Sequence, residues 1–226
     1  MRGLFGDFYE RVVQLELSLF RTTWHLFSRP QQVIRAFNAG KRRIYTHPFT
    51  YLILVSTVSL LLANLIGDNF WNEYRRTMMN YSGHNLDLVR RKHFADFYVL
   101  LLSLLPYWML VFTLPLALLM KLFFPKRGFT TAEYWIVCLY GVAFAILIDV
   151  LWSLCCYLFK LPFATQSLVT NFLLISFQVL FLSLWLGKNW WSFVRILVGC
   201  LISYALIGTM QNLMALAYAN GRVLLP

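Results

Sequence analysis

The chain has 226 residues, of which 60% are hydrophobic, 18% aromatic and only 13% Asp, Glu, Lys or Arg, for a mean hydropathy of +0.63. An ordinary soluble domain is about a quarter charged; too few charges exist here to solvate a water-facing surface, so an integral membrane protein is expected. The 20 Lys and Arg against nine Asp and Glu leave a net charge of +11, but most of these cations flank apolar runs, which favours anionic lipid headgroups over nucleic acid as the partner.

Along residues 1–20, Phe5, Phe8, Val12, Leu15 and Leu19 recur every three or four positions, with Asp7, Arg11 and Glu16 between them. This predicts an amphipathic helix too polar to span, lying either on the membrane surface or on the protein's own cytoplasmic face. Charges interrupt every apolar run in the first 48 residues, so no cleaved leader is expected. A second short helix is predicted over Gln31–Ala39, stopped by Gly40. The cations Lys41, Arg42 and Arg43 follow immediately before the first long apolar run. They read as a topology signal or as a lipid-facing segment, worth roughly 1 kcal/mol per cation near an anionic surface.

Five runs reach the roughly 20 apolar residues that cross a bilayer core of about 30 Å: Phe49–Ile66, Phe97–Met120, Tyr134–Phe159, Leu168–Leu186 and Trp191–Tyr218. The expected fold is therefore all-α, a polytopic bundle of five transmembrane helices (49–226) preceded by a cytoplasmic amphipathic and basic region (1–48). Pro106 and Pro115 should bend the second span. The intervening segment Gly67–Asp96 is the longest loop and holds five basic and four acidic residues. Alternating sides carry 13 and seven Lys and Arg, which predicts a cytoplasmic N-terminus and an external C-terminus.

Asp149 is the one acidic residue deep inside an expected span, and an intramembrane carboxyl is a functional-site candidate because its burial costs several kcal/mol unless it is paired, protonated or hydrated. Counted from the outer ends of the other spans, Thr57, Pro106, Gln178 and Gln211 lie seven to ten residues in, roughly 10 to 15 Å deep. One polar layer could thus cross the bundle. Either it forms a small cavity in which Asp149 binds a proton or cation with Gln178 beside it, or it is interhelical hydrogen bonding that fixes the packing. The four cysteines, Cys138, Cys155, Cys156 and Cys200, lie in apolar stretches without CxxC spacing, and His84, Asp87, His93 and Asp96 match no ligand motif. No GxSxG, HExxH or phosphate-binding glycine loop is present. No enzyme activity, cofactor or metal is expected.

The stretch Thr22–Leu62 resembles a bacterial membrane group, domain-of-unknown-function family 3667, through Thr22, Leu26, Pro30, Val33, Ile34, Gly40, Lys41, Arg42, Tyr45 and Pro48. Glu133 and Tyr134, with Tyr140 and Gly141, are similar to the five-span Yip-type membrane proteins. Members of the first group often carry an N-terminal zinc ribbon, whereas this chain has no cysteine before Cys138. The resemblance implies a five-helix bundle in a bacterial inner membrane, N-terminus cytoplasmic, with no catalytic activity. Two functions follow as expectations. One is a non-enzymatic scaffold or accessory subunit binding lipids and a partner membrane protein or a second copy of itself. The other is a small transporter or permease component using the Asp149 layer, which a water-accessible cavity reaching Asp149 would favour.

Overall fold

The computed structural model describes residues 18–40, 44–66, 68–81, 86–160, 163–186 and 189–224. Residues 1–17 of the expected amphipathic helix, and the basic segment Lys41, Arg42 and Arg43, lie outside the described residues. Among the described residues every regular element is helical: α1 (18–28), α2 (Pro30–Asn38), α3 (Pro48–Ile66), α4 (Asp68–Tyr81), α5 (Leu88–Ser103), α6 (Leu105–Phe123), α7 (Thr131–Leu158), α8 (Phe163–Leu186) and α9 (Trp190–Leu224). The protein is an all-α polytopic membrane bundle. Four of these helices, α3, α6, α7 and α9, are long and apolar enough to cross a membrane, and α8 contributes a shorter described apolar stretch, Phe172–Leu186.

Local chemistry accounts for the boundaries. Pro30 and Pro48 open α2 and α3 at a position where a missing N–H costs nothing, and Gly40 ends α2 in the left-handed conformation (φ 78°). α7 begins with a capping box: the Glu133 amide donates to Thr130 Oγ1 at 3.3 Å and the Thr130 amide donates to Glu133 Oε2 at 2.7 Å.

The expected second span is not one helix. α5 stops at Ser103 and α6 starts at Leu105, with Pro106 in its first turn. Proline has no N–H to bond back to the α5 turn and its ring clashes with the preceding carbonyls, so the helix breaks one turn before it. α5 then leaves α6 and packs on α9 and α4. Part of the expected long loop is likewise α4, whose Phe70, Trp71, Tyr74 and Met78 form an i, i+1, i+4, i+8 stripe.

α7 is the axis of the bundle, packed against α3, α6 and α8. Its buried Val137, Cys138, Tyr140 and Ala143 sit in the main apolar cluster with Leu26, Val33 and Ile34 of α1 and α2. A second cluster, with Phe94, Phe97, Leu101, Phe112, Ala215 and Ala219, joins α5, α6 and α9. Helices approach closely where glycine allows it: a Cβ at Gly141 would lie 3.1 Å from Phe181, and one at Gly199 would lie 2.4 Å from Met120. α1, α2 and the turn before α7 define one face of the bundle, here the near face; α4 lies at the far ends of α3 and α7.

Candidate functional site

The two apolar clusters do not close on each other. At their seam, between Phe112 of the second cluster and Leu116 and Ile146 of the first, lies a cavity of about 470 Å³. Helical spacing builds its walls. α7 presents Val142, Ala145, Ile146 and Asp149; α8 presents Thr170, Leu174 and Gln178; α9 presents Tyr204, Ile207, Gly208 and Gln211. Each set runs at three- and four-residue steps, one face of a helix. A second lobe of about 290 Å³ extends under α4, bounded by Phe70, Tyr74, Thr77 and Met78. Ser59, Tyr74, Leu102, Asp149 and Thr170 line both lobes.

Asp149 is held by the Thr170 hydroxyl, which donates to Oδ1 at 2.7 Å. Gln178, buried to 1% exposure, accepts from the Tyr204 hydroxyl at 3.1 Å. Thr113, at the α6 wall, accepts from the Trp135 indole N–H at 2.9 Å and donates to the Leu110 carbonyl at 3.0 Å. Tyr74 closes the top of the site from α4. Burial pushes its phenol well above the ordinary tyrosine range, with Tyr98 adding to the shift, so it remains a proton donor. Among the described residues, no three His, Cys, Asp or Glu side chains converge as a metal site would require.

Asp149, Gln178 and Gln211 therefore line one cavity, while Thr57 does not. Thr57 is exposed on α3 and its hydroxyl donates to the Ile53 carbonyl at 2.8 Å. Ser59, two residues on, lines the cavity instead. Counting residues from a helix end fixes depth but not the direction a side chain takes, and two residues turn a helix by about 200°. Pro106 is buried at the start of α6 and acts on the site by breaking the helix, which brings Leu102 and Leu105 to the wall. Thr170 and Tyr204 escaped the sequence reading, although Thr170 lies eight residues before Gln178, on the same helical face. Trp71 and Tyr74 read from the sequence as interfacial aromatics beside the first span, whereas Tyr74 lines both lobes of the cavity.

A second feature lies at the near face. The Thr46 amide donates to Thr22 Oγ1 at 2.9 Å, the Tyr140 hydroxyl donates to the Thr46 carbonyl at 2.7 Å, and the Thr46 and Ser18 hydroxyls lie 3.1 Å apart. Thr23 and Tyr51 hydroxyls pair at 3.1 Å, and His25 Nδ1 lies 2.8 Å from the Tyr45 hydroxyl. These bonds clasp α1 to the start of α3. Residues 16–60 match a family described as protein of unknown function (DUF3667). The matched segment holds the α1 and pre-α3 partners of this clasp and the first two thirds of α3. No curated protein and no solved structure matches the chain.

Proposed function

We propose that this is a non-enzymatic, five-crossing protein of a bacterial inner membrane, with its N-terminus cytoplasmic and its C-terminus outside, that works as a small transporter or permease component. The observation that carries this reading is the cavity that reaches Asp149 between α6, α7, α8 and α9. A bundle that used its polar residues only for packing would close on them, since interiors pack to crystal-like density. Here an acidic side chain, two glutamines and several hydroxyls border open space of ligand size.

Water access is the deciding test. Single cysteines at Ser203 and Gln211, in a chain whose exposed Cys155 is replaced by Ser, are treated with a small hydrophilic thiol reagent in proteoliposomes. Both positions are expected to react much faster than the buried Cys138 and Cys200. If they react no faster, the layer is dry and the permease reading fails.

A second reading, a scaffold or accessory subunit that binds lipids and a partner membrane protein, draws support from α1. Phe20, Trp24 and Phe27 are 75%, 60% and 67% exposed along one side of it, with Arg21 and Arg29 alongside. Aromatic and cationic side chains along and just after one short helix suit the headgroup boundary, and the sequence adds three further cations at Lys41, Arg42 and Arg43. A stoichiometric membrane-protein partner recovered with the tagged chain in nanodiscs is the result this reading requires.

A further inference from the structure

The cavity has a chemical bias that narrows what it can hold. Among the described residues lining its two lobes, one is acidic, Asp149, and none is Lys, Arg or His. Arg75, a cation of α4, is paired with Asp96 at 3.0 Å and lines neither lobe. A carboxylate here has a hydroxyl for company and no counter-charge from the protein.

The hydroxyls are biased in the same direction. Thr170 donates its proton to Asp149 and Tyr204 donates its proton to Gln178, so each oxygen has only lone pairs left to offer. An ammonium group, with three donors and no acceptor, satisfies the Asp149–Thr170 corner, where a carboxylate or phosphate meets acceptors and a like charge; the donors of the lining, Tyr74 and the amides of Gln178 and Gln211, carry no formal charge. Size suits an organic molecule: lobes of about 470 and 290 Å³ that share five lining residues together fall in the range of about 300–1,000 Å³ that holds such ligands. The apolar part of the wall is made by Leu102, Met109, Phe112, Ile146, Leu174 and Ile207.

We infer that the cavity takes an organic amine: an ammonium head at Asp149 and Thr170, carried on a largely apolar body that fills the seam between the two clusters. This rests on reading the cavity as a ligand site and adds the class of ligand. The same head could belong to an aminated lipid headgroup or to a free amphiphilic amine.

The test uses three compounds with one body and different heads: phenylbutylamine, phenylbutanol and phenylbutyrate. Each is titrated calorimetrically into the full chain in phosphatidylglycerol nanodiscs, with empty discs subtracted. The amine should bind at least about tenfold tighter than the alcohol, as a charge-assisted hydrogen bond outweighs a neutral one, and the carboxylate should bind weakest. Asp149→Asn should bring amine and alcohol within about twofold of each other. Gly208→Leu should weaken all three, because a side chain there meets no protein atom within 4 Å and has room beside the cavity. Repeating the titration with phosphatidylethanolamine in the discs separates the sources. A weakened apparent affinity for the amine assigns the head to lipid, and an unchanged affinity assigns it to a free solute.

The inference is overturned if phenylbutyrate binds as tightly as the amine, or if the amine preference survives in a folded Asp149→Asn variant. Should that variant not fold, the ranking of the three heads in the unaltered protein decides alone. Binding of all heads without preference, abolished by Gly208→Leu, would leave the ligand site standing and remove only the amine. Binding of none would remove both.

Discussion

At the scale of single residues, the most exposed commitment is the Thr170–Asp149 hydrogen bond. Its donor and acceptor sit on adjacent helices, α8 and α7, within the bundle. Thr170→Val keeps the shape and removes the donor, leaving a carboxyl oxygen with no protein partner. The expected cost is about 1.5–3 kcal/mol, what a hydrogen bond to a charged acceptor contributes. The measurement is reversible unfolding in mixed micelles. A double variant with Asp149→Ala should cost less than the sum of the two single changes, because the two act through one bond. Two glycines of α9 give a paired prediction of opposite sign. Gly199→Ala places a methyl against the terminal methyl of the fully buried Met120 and 3.2 Å from the Phe123 ring of α6, so it should destabilise by about 1 kcal/mol through overpacking. Gly208→Ala meets nothing within 4 Å and should stabilise by about 0.5–1 kcal/mol through helix propensity alone. Equal melting temperatures for the two variants would contradict the close crossing of α6 and α9.

At the scale of elements, the clasp between α1 and α3 converts a short helix into part of the core. Thr22 is fully buried; its hydroxyl donates to the Ser18 carbonyl at 2.6 Å and accepts from the Thr46 amide. Thr22→Val leaves that amide buried without an acceptor and should cost about 1–3 kcal/mol. Tyr140→Phe removes one donor from the Thr46 carbonyl and should cost about 1 kcal/mol. Both variants should raise the rate of limited proteolysis around residues 18–47 while the apolar helices stay protected. Uniform loss of protection would mean that the segment is not a separable element. The span of α3 was legible from apolar length, and the end of α2 from Gly40, because each depends on local chemistry. The break at Leu104 was only half legible: Pro106 predicted a bend, but whether a proline bends or breaks a helix depends on what the released segment can pack against, here α9 and α4. The helix α4 was obscured because Arg75, Arg76 and Glu73 dominate its composition, although Phe70, Tyr74 and Met78 mark its buried face.

At the scale of the whole molecule, the polar layer was legible in depth and not in azimuth, which is why Asp149, Gln178 and Gln211 share a cavity and Thr57 faces outward. The number of crossings turns on α8, and here tertiary bonds add what hydropathy lacks. α8 has 24 residues, about 36 Å at 1.5 Å per residue. Its last carbonyls receive side-chain donors from near-face elements: Gln31 of α2 bonds the Leu184 carbonyl, and Arg127, four residues before α7, bonds the Leu186 carbonyl. α8 thus begins just beyond the far end of α7 and returns to the near face where α7 began, which makes it a full antiparallel partner of a helix long and apolar enough to span. On the proposed five-crossing topology, three crossings separate Asn72 on α4 from Asn189 before α9 and place the two in opposite compartments. With Cys155 replaced by Ser, a membrane-impermeant thiol reagent applied to intact cells should label Asn72→Cys and spare Asn189→Cys until the membrane is opened. The proposed orientation, which rests on the distribution of Lys and Arg along the sequence, puts Asn72 outside. Labelling of both from one side would require α8 to turn back within the bilayer, and its bonds to Gln31 and Arg127 would then be the first contacts to give up. Labelling of Asn189→Cys alone would keep the five crossings and invert the orientation, so the crossing count and the charge rule are tested separately by the same pair.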